Sequence, residues 1–88
     1  MKLKNGIVMT EANGEFYAVD AGMANSSFNG MLRLNKTAAF VVKQLENECH
    51  PDDIVSAMLD KYDVDADTAG KNVLEVVETL RTVGFLDE

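Results

Sequence analysis

The chain is 88 residues long and 47% apolar, and its fifteen acidic and eight basic side chains give a formal charge of −7. That length holds one domain, residues 1–88, with a small core, and that charge repels phosphate backbones, so nucleic acid is not an expected partner. The sequence has no apolar run of about 18 residues, as a membrane span requires, and Met1-Lys2-Leu3-Lys4 leads into an alternating segment where a secretion signal would have an apolar core; a cytoplasmic protein with no membrane partner is expected.

Residues 6–12 and 15–21 are β-prone runs on either side of Asn13-Gly14, the dipeptide favoured in two-residue turns, and they predict a β-hairpin. Residues 22–30 mix Gly, Asn and Ser and predict a loop. Met31-Leu32-Arg33-Leu34 follows as a short third strand. Asn35 is placed to cap a helix over residues 36–48, and Ala38, Val41, Val42, Leu45 and Cys49 follow it at helical spacing. Pro51 in a first turn, with Asp52 and Asp53 near the positive helix end, opens a second helix whose stripe is Ile54, Val55, Met58, Leu59 and Tyr62. Asp65 caps a third helix over residues 66–83, with Gly84 at its C-terminal cap. Three strands followed by three helices predict an α+β, winged-helix-like fold, a three-stranded antiparallel sheet followed by a three-helix bundle.

The third helix carries more apolar surface than a core needs. Ala69, Val73, Val76, Leu80 and Val83 share one face, and Gly70, Leu74 and Val77 extend it to one side, so that the arc spans roughly 180° where roughly 100° covers a core. The expectation is that this shoulder faces a guest, with Gly70 admitting a close backbone. The strand Met31, Leu32, Arg33, Leu34 supplies the other half of such a site, because unpaired groups on a sheet edge accept an extended peptide as an added strand. Arg33, Lys71 and Arg81 are then placed to meet acidic residues of the guest. The expected site is therefore Met31 to Leu34 together with Gly70, Lys71, Leu74, Val77 and Arg81.

Other constellations lack the parts that chemistry requires. Asp63, Asp65 and Asp67 have the two-residue spacing of a calcium loop, but Thr68 and Leu74 stand where that loop needs Gly and Glu. Cys49 and His50 are sequence neighbours with no second Cys or His to complete a zinc site, and the single cysteine admits no internal disulfide. Ser26-Ser27 has no nucleophile elbow, and residues 22–30 lack the Lys-Ser/Thr of a phosphate loop. The chain is expected not to be an enzyme and to need no cofactor. Phe40 projects off the main stripe of its helix, toward the hairpin or a partner.

Three segments carry a family resemblance. Phe28-Asn29-Gly30-Met31-Leu32-Arg33-Leu34-Asn35-Lys36-Thr37-Ala38 resembles a third strand running into a Leu-Asn-x-Thr-[Gly/Ala] helix start. Tyr62-Asp63-Val64-Asp65 follows between helices two and three, and Leu80-Arg81-Thr82-Val83-Gly84-Phe85-Leu86 is similar to a terminal Leu-x-x-x-Gly-[apolar]-[apolar] stretch. Together they resemble the PqqD-like proteins, or RiPP recognition elements, which bind leader peptides of ribosomally made, post-translationally modified peptides. Ala38 stands where that family often has Gly, and Val42 lies near a position often aromatic. The resemblance implies a stand-alone adaptor that captures a precursor leader peptide by strand addition between residues 31–34 and helix 66–83. The adaptor then presents the leader to a modifying enzyme, commonly a radical S-adenosylmethionine protein; any iron–sulfur cluster belongs to that partner.

Two alternatives share some of these features. A winged-helix DNA-binding regulator has the same element order, but helix three sets Lys71 and Arg81 against Asp67, Glu75 and Glu78. An acyl-carrier-like protein matches in size and acidity, but the hairpin and the lack of an Asp-Ser-Leu sequence oppose it. An exposed edge strand allows either a monomer or an edge-strand dimer.

Overall fold

A computed structural model describes residues 1–21 and 31–88; the expected loop over 22–30, with Ser26, Ser27 and Phe28-Asn29-Gly30, lies outside the described residues. The elements run β1 (Lys2–Leu3), β2 (Ile7–Ala12), β3 (Glu15–Asp20), β4 (Met31–Leu34), α1 (Lys36–Gln44), α2 (Pro51–Lys61), α3 (Ala66–Thr82) and β5 (Leu86–Asp87). The principal sheet is antiparallel in the order β2-β3-β4, and three helices follow it. The α+β expectation holds.

The hairpin forms at Asn13-Gly14, where φ values of 55° and 79° are the two positive angles that a type I′ turn needs. Pairing runs from Ala12↔Glu15 to Ile7↔Asp20, and β4 joins from Phe16↔Leu34 to Val19↔Met31. Residues opposite each other share a face, and faces alternate along each strand. Ile7, Met9, Phe16, Ala18, Leu32 and Leu34 therefore point to one side, and all of them belong to or pack on the hydrophobic core. Val41 and Val42 of α1, Ile54 and Met58 of α2, and Ala69, Val73, Val77 and Leu80 of α3 close over that side, with Leu45 and Phe85 between them. The opposite side carries Val8 and Met31, which are 48% and 54% exposed.

Two of the three helix starts are the predicted side-chain caps: the Asn35 side-chain oxygen accepts from the Ala38 N–H and the Asp65 carboxylate from the Thr68 N–H, both at 2.7 Å. At the start of α2, Asp53 accepts from the His50 N–H at 2.9 Å, with Pro51 in the first turn. Gly84 follows α3 at φ 81°, the left-handed position expected of a C-terminal cap.

Helix α1 ends one turn sooner than its apolar spacing predicts. The Leu45 N–H is shared between the carbonyls of Val41 and Val42, each at 3.1 Å, which tightens the final turn. The Leu45 carbonyl, which a continuing helix would offer to Cys49, instead accepts from Leu3 N–H at 2.9 Å, and Cys49 N–H donates to Met1 carbonyl at 3.0 Å. Strand β1 thus takes over the hydrogen bonds of the missing turn. It also pairs with β5, Lys2↔Asp87 and Leu3↔Leu86. Neither two-residue strand is foreseen from the sequence, because two residues carry no periodicity to detect.

Val77 is 2% exposed and belongs to the core. Val77→Ala should lower unfolding free energy by about 2 kcal/mol through lost burial and the cavity left behind, measurable as a shift in denaturant midpoint. The Thr68 amide holds the Asp65 carboxyl below the usual Asp range. A depressed folded value stabilises the native state above the unfolded pKa, and that contribution is lost as pH falls through the folded one. Asp65→Asn keeps a capping oxygen without the titration, so its melting temperature should fall less than that of the parent between about pH 5 and pH 2.

Candidate peptide-binding site

The hairpin turn fixes which main-chain groups of β4 are left open. Residues flanking a two-residue turn, here Ala12 and Glu15, exchange both N–H···O=C bonds, and such pairs alternate along an antiparallel ladder. Glu15, Tyr17 and Val19 thus direct their main-chain groups at β2, and Phe16 and Ala18 direct theirs at β4. The observed register places Leu34 and Leu32 opposite Phe16 and Ala18. The N–H and C=O of Met31 and Arg33 therefore point away from β3, and no described strand lies beyond them.

Beside this edge runs a groove of about 200 Å³ between β4 and α3. Leu32, Leu34, Asn35 and Ala38 form one wall, Glu75, Val76 and Thr79 form the other, and Arg33 stands with the strand. The floor is apolar and the rim polar. Leu32, Ala38 and Val76 are half-buried, so each keeps apolar surface available to a guest.

Of the expected residues, Leu32, Arg33 and Leu34 line this groove, and its helix wall comes from another face of α3. The core stripe of α3 is Ala69, Val73, Val77 and Leu80, which makes Val77 interior and leaves Val76 on the flank toward β4. At about 100° per residue, Leu74 lies roughly 160° around the helix from Val76. Leu74 is 56% exposed and, with Gly70, Lys71 and Arg81, is absent from the groove lining. A Cβ added at Gly70 would meet nothing within 4 Å, so no part of the described chain approaches it closely. The surplus of apolar surface on α3 lies on both flanks of its stripe, with Leu74 exposed on the expected shoulder and Val76 half-buried at the groove. The groove residues outside the expected set are Asn35, Ala38, Glu75, Val76 and Thr79. Val76 had a signal, since an apolar margin on either side of the stripe fits an arc of that width.

Two of the three cations expected to meet a guest are already engaged. Arg33 pairs with Glu15 at 2.5 Å, and the same carboxylate accepts from the Tyr17 hydroxyl at 2.8 Å, which pushes the Tyr17 phenol above its usual pKa. The Arg81 guanidinium donates to Glu88 at 2.8 Å through both Nε and Nη2 and also pairs with Glu78, and these carboxylates hold its pKa above the ordinary Arg value. Lys71 is exposed.

Nothing reactive borders the groove. The Cys49 Sγ–H donates to the Gln44 carbonyl at 3.6 Å, and burial pushes its thiol pKa up, away from the thiolate a nucleophile needs. Among the described residues, no group of His, Cys, Asp or Glu is placed to hold a metal ion, Asp63, Asp65 and Asp67 included. No helix among them is long and apolar enough to cross a membrane.

An open strand edge beside an apolar helix groove is the geometry of a strand-addition domain. The model of the family described as coenzyme PQQ synthesis protein D (PqqD) matches residues 7–86, and the chain belongs to that family. Two solved structures share the fold. One, described as lasso peptide synthetase B1 complexed with the leader peptide, is 21% identical with a TM-score of 0.71, over 96% of this chain and 93% of that one. The other, described as TbiB1 in complex with the TbiA(beta) leader peptide, is 20% identical with a TM-score of 0.72, over 99% of this chain and all of that one. No curated protein matches.

The phase of β4 is testable by hydrogen exchange on the free protein. The Arg33 amide should exchange at least about tenfold faster than those of Leu32 and Leu34, because it alone of the three faces the open edge. Equal protection of all three would show that the edge is already occupied.

Proposed function

We propose that this protein is an adaptor that captures the leader of a ribosomally made precursor peptide and presents it to a modifying enzyme. The observation that carries this reading is the outward direction of the Met31 and Arg33 main-chain groups beside the Leu32–Ala38–Val76 floor. A guest strand gains main-chain hydrogen bonds from the edge in any sequence, and alternate side chains entering the groove provide selection. PqqD family membership and the leader peptides named in both related structures support the same reading. On this reading the chain has no catalytic role and works in the cytoplasm. The chemistry belongs to the partner enzyme, for which a radical S-adenosylmethionine protein is the reading we favour.

The site residues proposed are accordingly Met31 to Leu34 with Val76, Thr79 and Ala38, in place of the Gly70, Lys71, Leu74, Val77 and Arg81 shoulder. A DNA-binding role is disfavoured further by the structure, because Arg81, one of two cations on α3, is held by Glu78 and Glu88. Two copies pairing along β4 would compete with a guest for the same edge.

Calorimetry against synthetic leaders of precursor peptides encoded beside this gene tests the proposal. Val76→Glu places a charge on the groove floor and should weaken Kd at least about tenfold, whereas Leu74→Glu, on the far flank, should leave it within about twofold. Binding should also slow exchange of the Arg33 amide. Unchanged affinity in a folded Val76→Glu variant, with Arg33 still unprotected in the complex, would overturn the reading.

A further inference from the structure

A second concave site lies between the hairpin and helices α1 and α2, apart from the β4 groove. Phe16 of β3, Phe40 of α1 and Tyr62 after α2 wall a cavity of about 300 Å³, at the lower end of the range for specific binding sites. Phe40 and Tyr62 meet edge to face, with ring centroids 5.5 Å apart at 83°. Phe40, off the main stripe of its helix, is thus accounted for as a wall of this cavity. Lys36, Lys43 and Lys61 stand around it, three of the eight basic side chains on a chain of charge −7.

These lysines differ from the arginines in what they touch. Among the described residues, ion pairs join Met1 to Glu48, Arg33 to Glu15, and Arg81 to Glu78 and Glu88. None involves Lys36, Lys43 or Lys61, and all three are exposed. The Lys61 ammonium sits 5.3 Å from the Phe40 centroid and 5.7 Å from that of Tyr62, held over rings rather than by a carboxylate. Fifteen carboxylates are present in the chain, yet this cluster of positive charge is left without one in contact, over a floor that is mainly apolar.

We propose that this cavity is a docking site for an acidic segment of a partner protein, one in which an apolar side chain lies between carboxylates. The apolar side chain enters between Phe16, Phe40 and Tyr62, and the flanking carboxylates meet the three ammonium groups. Charge complementarity selects this occupant: a neutral apolar segment leaves the lysines unmatched, and a basic one is repelled. The lining of this cavity shares no residue with that of the β4–α3 groove, so one guest does not exclude the other. The inference does not depend on the leader-peptide reading.

The test is a titration of the isotope-labelled full chain, followed by NMR, with an end-blocked hexapeptide carrying a central Phe-Leu pair flanked on each side by two glutamates. Amide shifts are expected at residues 36–43 and 61–62, and affinity should fall at least about fivefold on raising salt from about 0.05 to 0.3 M. The double variant Lys43→Glu/Lys61→Glu changes only exposed side chains and should stay folded while binding at least about tenfold more weakly. A control peptide with glutamine for glutamate should bind as weakly as that variant does. Equal binding of the glutamine peptide, unaltered binding by the folded double variant, or shifts confined to residues 31–34 and 75–79 would each overturn the proposal. The last result would leave the groove assignment standing.

Discussion

Among the described residues, strand β4 has a neighbour on one side only. Every backbone N–H and C=O is a strong hydrogen-bonding group that has to be paired or solvated, and a three-stranded sheet with one layer of helices pairs only half of those on its last strand. The other half is left open beside the groove that Val76 and Thr79 of α3 line. The folded chain therefore keeps an incomplete sheet beside an incompletely covered apolar surface, two deficits that a single extended peptide removes together.

The geometry of that edge is set far from it in the chain. Asn13 and Gly14 accept positive φ at low cost, which makes the hairpin turn two residues long, and this length fixes the alternation of every pair beyond it. Leu32 and Leu34 consequently turn inward in both senses, with main-chain groups toward β3 and side chains toward the helices. Tyr17, Glu15 and Arg33 meet on the outer face, where the carboxylate accepts from both neighbours. This open-edged strand is thus held by the core below and a polar cluster above.

The hairpin, the short strand, the caps at Asn35 and Asp65 and the Gly84 terminus were all legible in the sequence, because each is a local signal of one or two residues with a stereochemical cause. The groove wall on α3 was only half legible. An apolar arc about 180° wide states that surplus surface exists, but the side on which it is spare depends on how the helix is rolled against its neighbours. Val77 is buried in the core, and Val76, one residue away, is the one that lines the β4 groove. The end of α1 was hidden for a related reason: the Leu45 carbonyl is diverted by Leu3, a contact across more than forty residues that no local pattern encodes. The lysine-rimmed cavity drew residues from four elements, and from the sequence only Phe40 hinted at it.

The open edge also imposes a reading frame on whatever it binds. Side chains along an added strand alternate between groove and solvent, so β4 samples its guest at every second residue. Sliding the guest by one position would exchange the sampled set for the unsampled one. Two peptides of identical composition, differing only in whether their apolar residues fall on odd or even positions relative to a fixed anchor, are different ligands to this domain. For a guest added at this edge, spacing, more than overall hydrophobicity, would carry the address.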